Sequence, residues 1–425
     1  MRIKHLLGVF AALLLTASCK KDTEVFVFKK ANLRDAKMVY RQSATSTRSG
    51  GERAAGMDGF MINYNSGETM PLQFQNDKGQ VVNATDIKGL MINGISDLNS
   101  DFVYLSGSYT PDPEDDRVIY NLMYQGFLVN KKTEAVYGLP LELYFGARSP
   151  AATDGDGNIY VDGARYYSTD FPRSIYKINT QDENNLTIET YLKEAVVDVP
   201  PFIINSKGYL IYQSGKHVKL QNLNGRVVFL EQQHPELQEG TYYLAEGEKV
   251  FAFSWSSGIH VSHIDENGLM QFHKISDTRV SSNIELGQVI YNPIRKTYLI
   301  NRWQEFNSAT CEVIDLPQQL PEEALLSYAP RSKDKIYCSQ RNQFDQPIIV
   351  QVSLADYSTS TLDLSSQGYD VKDISVHPES SEISFTAFRL SDGKNVVGTA
   401  DEAGNITKII EDNSNYVISN IVRLN

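Results

Sequence analysis

The chain has 425 residues and a formal net charge of −12 at pH 7. Nucleic acid and anionic lipid surfaces would repel so acidic a body, so nucleic acid is not expected as a partner. Three cysteines are too few for a disulfide-stapled scaffold, and a chain of this length can bury a large core without staples.

The first residues have the pattern of a secretory signal. Arg2 and Lys4 give a positive start, residues 6–15 form an apolar core, and small residues lead to Cys19. The apolar run is too short to span a bilayer as a stable helix. We therefore predict a signal peptide over residues 1–18, whose removal changes the net charge from −12 to −14.

The end of this segment, Thr16-Ala17-Ser18-Cys19, resembles the lipobox of bacterial lipoproteins, although Thr16 replaces the usual Leu. Cys19-Lys20-Lys21-Asp22 is similar to the start of Bacteroidota-type surface lipoproteins. The resemblance implies acylation of Cys19 and anchoring of the chain through this lipid in the outer membrane of the cell envelope, facing the periplasm or the cell surface. The alternative is an ordinary cleaved signal in which Cys19 is incidental.

Residues 19–57 are predicted to form a flexible, lipidated tether. The stretch from Ser43 to Gly56 consists mostly of Ser, Thr, Arg, Gly and Ala and has no apolar periodicity. Such a segment cannot offset its ordering entropy. Outside the signal, only residues 31–41 have a pattern that would suit a short helix.

From residue 58 onward, a turn-rich cluster followed by an apolar or aromatic strand recurs every 39–58 residues. The aligned marker positions are Phe60, Phe102, Tyr160, Tyr209, Phe251, Tyr298, Tyr337 and Ser384. A period of about 45 residues with four short strands per unit is the signature of a β-propeller. We predict an all-β fold, a single seven- or eight-bladed propeller over residues 58–425.

The two ends of the repeat complement each other. Residues 417–424 have the pattern of a lone inner strand, and residues 59–83 that of a unit without one. We predict that the C-terminal strand pairs with the strand at 60–64 and closes the ring, because closure removes exposed sheet edges.

Asp154, Asp156 and Asn158 place oxygen ligands at alternate positions, as a calcium loop does. The segment lacks the terminal Glu and the flanking helices of an EF-hand. Its Asp-Gly-Asn-Ile-Tyr run also resembles hairpins of propellers of the NHL/TolB-like kind and of gluconolactonase-like propellers, where it is a turn. A turn without metal is the favoured interpretation and a calcium site the alternative; no other cofactor is expected.

The sequence does not single out a catalytic centre. His260 and His263 look like a zinc pair, but residues three apart on a strand point to opposite faces. The nucleophile elbow, the Gly-rich phosphate loop and HExxH are missing from the sequence. An enzyme is therefore not favoured, although the many acids leave a carboxylate pair acting on polysaccharide as an alternative.

Aromatic and Arg residues recur where the second strands of the repeat end. The loops that follow second strands open on the face of a propeller where ligands usually bind. Residues of these types carry binding hot spots, and flat aromatic rings stack on sugars. The alternative is that they pack between blades and pair with nearby acids. The predicted ligand-binding residues are Arg165, Tyr166, Tyr167, Trp255, Arg302, Trp303, Arg341 and Arg389.

These patterns together indicate an outer-membrane lipoprotein whose propeller binds a ligand. The ligand would be a glycan or a partner protein of an uptake or surface complex. One alternative is a propeller hydrolase or lyase acting on polysaccharide, and another is a structural subunit of an envelope assembly. Fold analogy alone does not decide between these functions.

The anchor gives a first prediction. Radiolabelled palmitate should be incorporated into the wild-type protein and not into the Cys19→Ala variant, because only the thiol at this position can carry the acyl chains. Equal labelling of both proteins would show that the cysteine is incidental.

Overall fold

The computed structural model describes residues 28–44, 59–87, 89–98, 101–109, 123–139, 143–144, 152–165, 173–182, 186–193, 202–214, 217–223, 225–237, 241–278, 289–321, 324, 330–341, 347–413 and 416–424. These residues are nearly all β, with one short α-helix, α1 (Leu230–Gln233), and 3-10 turns at Ala84–Asp86 and Ser365–Gln367. None of the helices within these ranges has the length and apolar character that crossing a bilayer requires.

The strands are short and follow one another in hairpins. The first part of the chain contains β1 (Phe28–Ala31), β2 (Ala36–Ala44), β3 (Gly59–Tyr64), β4 (Thr69–Pro71), β5 (Gln73–Asn76), β6 (Val81–Asn83), β7 (Leu90–Asp97), β8 (Phe102–Tyr109), β9 (Met123–Asn130), β10 (Val136–Gly138), β11 (Leu143–Tyr144), β12 (Ala152–Thr153), β13 (Ile159–Arg165), β14 (Arg173–Asn179) and β15 (Thr187–Lys193). The second part contains β16 (Ile203–Ile204), β17 (Leu210–Ser214), β18 (His217–Gln221), β19 (Val227–Phe229), β20 (Tyr242–Glu246), β21 (Lys249–Ser254), β22 (Gly258–Ile264), β23 (Met270–Ser276), β24 (Ile290–Asn292), β25 (Thr297–Leu299), β26 (Gln304–Asn307), β27 (Glu312–Asp315), β28 (Lys335–Arg341), β29 (Pro347–Ser353), β30 (Thr359–Leu362), β31 (Tyr369–Val376), β32 (Ile383–Arg389), β33 (Lys394–Ala400), β34 (Ile406–Asn413) and β35 (Tyr416–Arg423).

Most sheets are antiparallel meanders of four consecutive strands. This order holds for β7–β10, β16–β19, β20–β23, β24–β27 and β31–β34, while β28–β30 form three strands. Three other sheets differ from this pattern. One has the strand order β11-β13-β14-β15, with β12 also paired to β13, and the other two have the orders β1-β5-β6 and β35-β2-β3-β4. Successive four-stranded meanders are the architecture of a β-propeller, so the predicted all-β propeller class is confirmed at this level.

The hairpins repeat one piece of turn chemistry. An Asp or Asn side chain accepts a hydrogen bond from the backbone N–H two residues later, which imitates a backbone turn. Asp154, Asn205 and Asn292 do so between first and second strands, and Asn130 and Asp265 between third and fourth strands. The turn clusters visible in the sequence are therefore the places where the chain reverses.

The core lies between neighbouring sheets. Val250 and Ala252 of β21 pack in a cluster with the preceding sheet, β16–β19. Phe251 and Phe253 of the same strand pack with the following sheet, β24–β27. Because successive side chains of a strand point to opposite faces, a strand covered on both sides becomes a continuous apolar run.

The last sheet packs against the first. Met38 and Tyr40 of β2 share a buried cluster with Val397 of β33, together with Ile418 and Ile421 of β35. β35 is hydrogen-bonded to β2 along its length, so that β2 lies between β35 and β3. The C-terminal strand thus pairs with residues 36–44 and not with 60–64, which corrects the predicted partner.

The start of the folded body also differs from the sequence prediction. The prediction of a short helix over residues 31–41 is wrong, because this segment contains most of β2. Ala36, Met38 and Val39 are fully buried, so β2 is covered on both faces and lacks the alternation that identifies a strand. The folded part therefore begins by Phe28 at the latest, not at residue 58, whereas Cys19 and residues 45–58 lie outside the described residues.

An ion-pair cluster joins the two ends of the chain to the last sheet. Glu382 accepts from Lys37 Nζ at 2.8 Å and from Arg423 Nη2 at 2.9 Å. Burial alone would raise the pKa of Glu382, but the hydrogen bond from Lys37 and the charge of Arg423 outweigh it and lower that pKa. The cluster therefore stabilises the fold most when Glu382 is ionised.

The pairing of β35 gives a second prediction. Removing residues 416–425 should lower the free energy of unfolding by several kcal/mol, because β2 loses a partner strand and the cluster around Tyr40 loses two apolar side chains. Thermal or urea unfolding measures this change. A chain lacking only Asn425 is the control, and an unchanged melting temperature in the longer truncation would contradict the prediction.

A third prediction concerns pH. Because the folded-state pKa of Glu382 is lowered, its contribution is present above the unfolded-state pKa and is lost as the pH falls through the folded-state value. Glu382→Gln should cost about 1–3 kcal/mol at neutral pH and little in acid. Urea unfolding at several pH values tests this. Glu379→Gln, an exposed acid in the same hairpin, is the control, and equal loss at all pH values would contradict the assignment.

Candidate ligand-binding face

Within the described meanders, the second strand ends and the third strand begins at the same end of the sheet. The first strands begin at this same end, as shown by Tyr369 at the start of β31, which pairs with Arg389 at the end of β32. We call this surface the turn face. It contains the ends of the second strands, where the sequence analysis places the ligand-binding residues.

Exposed aromatic side chains concentrate on the turn face. Trp255 lies between β21 and β22 and is 54% exposed, and Trp303 lies between β25 and β26 and is 39% exposed. Among the described residues, four of the five exposed large aromatics belong to this face: Tyr242, Trp255, Trp303 and Phe388. Packing between blades would cover the two tryptophans, so their exposure favours the binding interpretation.

Trp303 is held in place despite its exposure. The Arg302 guanidinium lies over its ring at 5.6 Å from the centroid, and Arg302 Nε donates to the Leu320 carbonyl at 3.0 Å. With its side-chain oxygen facing these groups, Gln319 accepts from Trp303 Nε1 and Arg302 Nη2, both at 3.2 Å. Leu316 N also donates to Trp303 O. A ring fixed in this way loses little conformational entropy when a ligand stacks on it.

The turn that carries Trp255 is built from serines and one glycine. Ser257 N donates to Ser254 Oγ at 3.3 Å, and Ser257 Oγ donates to the Glu236 carbonyl at 2.8 Å. Gly258 has φ +96°, and an added Cβ would lie 2.1 Å from Ser276 O. Only glycine fits this position, so the backbone at the end of this turn has one path.

A cleft of about 430 Å³ opens at the turn face between the sheets β28–β30 and β31–β34. Arg341 and Lys372 bring positive charge to it, and Lys372 forms an ion pair with Asp370. Clefts of this size hold small ligands. The cleft is lined by Ser339, Gln340, Arg341, Pro347, Asp370, Val371 and Lys372.

Arg389 is paired with two acids, and its predicted part in ligand binding stays a prediction. Its Nε donates to Asp392 Oδ1 at 2.9 Å, and its Nη2 contacts both Asp392 and Asp412 at 2.5 Å. These bonds hold the guanidinium against acids of its own sheet, which is the alternative that the sequence left open. The backbone of Arg165 ends β13, whereas its side chain, Tyr166 and Tyr167 lie outside the described residues and stay predictions.

The segment at 154–158 has the geometry of a turn. Asp154 Oδ1 accepts from the backbone N–H groups of Asp156 and Asn158 at 3.0 and 2.9 Å. Asp154 Oδ2 accepts from Asn158 Nδ2 and from the Tyr160 hydroxyl, both at 2.9 Å. A carboxylate that faces four N–H and O–H donors is oriented to stabilise a hairpin and not to coordinate calcium, so the geometry favours the turn interpretation.

The two histidines that resemble a zinc pair point away from each other, as strand periodicity predicts. His260 is buried, and its Nε2 lies 2.9 Å from Ser257 Oγ. Burial lowers the pKa of His260, so that the ring is neutral at pH 7. His263 is exposed and instead approaches His273 on the neighbouring strand, with their Nδ1 atoms 3.3 Å apart.

Comparisons with known proteins add remote likenesses only. Neither a protein-family model nor a curated protein matches the sequence. Among solved structures, the chain is similar to the β-propeller domain of the Trilobed protease from Pyrococcus furiosus (10% identity, 75% of this chain and 84% of that one, TM-score 0.36). It is also similar to TolB from Acinetobacter baumannii (9%, 90% and 82%, 0.31) and to a prolyl endopeptidase (10%, 90% and 58%, 0.41).

The chain spans 58% of the length of that prolyl endopeptidase. At these identities and TM-scores, the likenesses carry no inference about ligand or activity, and the fold assignment depends on the sheets themselves.

Proposed function

We propose that this protein is a cell-envelope lipoprotein whose propeller binds a glycan through the turn face. The observation that carries the proposal is the exposure of Trp255 and Trp303 on the same face as a cleft with Arg341 and Lys372. Flat aromatic rings stack on the apolar faces of sugars, and Arg and Lys side chains bind carboxylates. The combination suits a polysaccharide segment that carries acidic groups.

We infer that eight sheets form the blades of one ring. They are the sheets of β35-β2-β3-β4, β7–β10, β11–β15, β16–β19, β20–β23, β24–β27, β28–β30 and β31–β34. Buried apolar clusters connect each of these sheets to the next, and one cluster connects the last to the first. Such a ring would bring the turns that carry Trp255 and Trp303 to neighbouring positions around one opening.

The lining of the cleft suits the binding of an acidic group. Arg341 and Lys372 supply positive charge, and among the residues described as lining the cleft Asp370 is the single acid, which pairs with Lys372. The proposal therefore concerns binding, and a hydrolase or lyase acting on polysaccharide stays the alternative.

A protein partner is the second candidate. Phe388 and Leu390 lie on the turn face around the turn that begins with Arg389 and are both exposed. Met91 and Val417 add exposed aliphatic surface at the starts of first strands. Exposed apolar residues on one face are typical of protein interfaces, and this candidate does not require the cleft.

The fourth prediction tests the glycan proposal. Acidic and neutral oligosaccharides are screened on an array, and the affinity for the best one is measured by calorimetry. Trp303→Ala and Trp255→Ala should each weaken binding by about 1–3 kcal/mol, because each removes a stacking surface. Arg341→Gln should lower the affinity for acidic oligosaccharides more than the affinity for neutral ones, because it removes a positive charge.

The control is Leu223→Ala, which removes an exposed apolar side chain in a turn between third and fourth strands, at the opposite end of the sheets. The affinity of Leu223→Ala for the oligosaccharide should equal that of the wild type. All variants should keep a melting temperature close to that of the wild type. Glycan binding that is unaffected by both tryptophan variants would overturn the proposal. Absence of glycan binding, with a protein captured through Phe388 and Leu390, would support the second candidate instead.

A further inference from the structure

Two histidines form a close pair on the outer strands of the sheet β20–β23. His263 on β22 is opposite Gln271 of β23, and His273 is opposite Val261, so the two histidines are diagonal neighbours on one face. Their Nδ1 atoms are 3.3 Å apart, and their ring centroids are 5.2 Å apart. His263 is exposed and His273 half-buried, so the pair is accessible from solvent.

The distance between the two nitrogens matches the spacing of two ligands on one metal ion. Zinc binds histidine nitrogen at about 2.0–2.1 Å with tetrahedral angles, which places two such nitrogens about 3.3–3.4 Å apart. The rings therefore need no large movement to hold a cation between them. In the absence of a cation, the same approach lets one neutral ring donate a hydrogen bond to the other.

One cation and one acid lie near the pair. The Lys249 ammonium donates to the Ser262 carbonyl, next to His263. Asp265 lies near His263 and accepts a hydrogen bond from Gln271 Nε2 at 3.3 Å. The positive charge of Lys249 near the pair is therefore offset by one negative charge.

We propose that His263 and His273 form a two-histidine site for a divalent transition-metal ion. The described residues contain no group of three or more His, Cys, Asp or Glu side chains that could hold a metal, so water or a group from another molecule would complete the coordination. Imidazole ligands suit copper, nickel and zinc, and affinity along this series is highest for Cu²⁺. The site is separate from the turn face, and the inference does not depend on the proposed function.

The test is a titration of the purified protein with Cu²⁺, followed by calorimetry and by electron paramagnetic resonance. We expect one Cu²⁺ per pair and a spectrum with coupling to two imidazole nitrogens. His263→Ala and His273→Ala should each weaken binding at least about tenfold, because loss of an outer partner of a metal ligand already costs that much and each variant removes a ligand, and should leave coupling to one nitrogen at most. Binding should also weaken in acid, because protonated imidazole cannot bind a metal.

The matched control is His217→Ala, which removes an exposed histidine on another sheet that pairs with Glu231 at 2.5 Å. Its Cu²⁺ affinity and spectrum should equal those of the wild type. Binding of equal affinity in the wild type and in His273→Ala would overturn the proposal. A failure of the wild-type protein to bind Cu²⁺ at millimolar concentration would overturn the proposal as well. His263→Ala and His273→Ala should retain the wild-type melting temperature, which shows that they are folded.

Discussion

The structure depends on the burial of both faces of each sheet against a neighbouring sheet. An isolated four-stranded meander would leave two apolar faces in water, and only stacking in series covers both. In β21 this requirement places Val250 and Ala252 against one neighbour and Phe251 and Phe253 against the other. The sheets therefore stack in chain order, and the described hairpin turns lie at one or the other end of the sheets.

One polar cluster interrupts this apolar packing between the sheets β24–β27 and β28–β30. Glu305 is fully buried and accepts from Arg295 Nη2 and Thr297 Oγ1, both at 2.6 Å, and from the Tyr357 hydroxyl. Burial would raise the pKa of Glu305, but these donors outweigh it and lower the pKa. Because a buried charge is stable only with all its partners, the cluster requires one arrangement of these two sheets.

The candidate binding surface is a consequence of the same packing. The strands supply most of the core, so many turn residues are less constrained by packing and can be aromatic or basic. Trp303 is an example, since Arg302 and Gln319 contact the ring while the residue stays 39% exposed. The cleft near Arg341 arises in a different way, because it needs residues of two neighbouring sheets.

The sequence by itself determined the features that depend on local interactions. The period and the turns follow from side chains such as Asp154 and Asn205, which bond to backbone a few residues away and leave a recognisable pattern. The position of Trp255 in an exposed turn follows from the same repeat. These features recur in each unit, so a single chain contains several copies of the evidence.

Only the tertiary structure decided which distant segments meet. The pairing of β35 with β2, the approach of His273 to His263, and the position of Lys372 beside the cleft of Arg341 depend on strand register and sheet order. The burial of β2 on both faces even gave its sequence a misleading helical pattern. The spacing of residues within one segment does not predict such contacts. They form because this arrangement of all the strands buries the apolar side chains of the whole chain best.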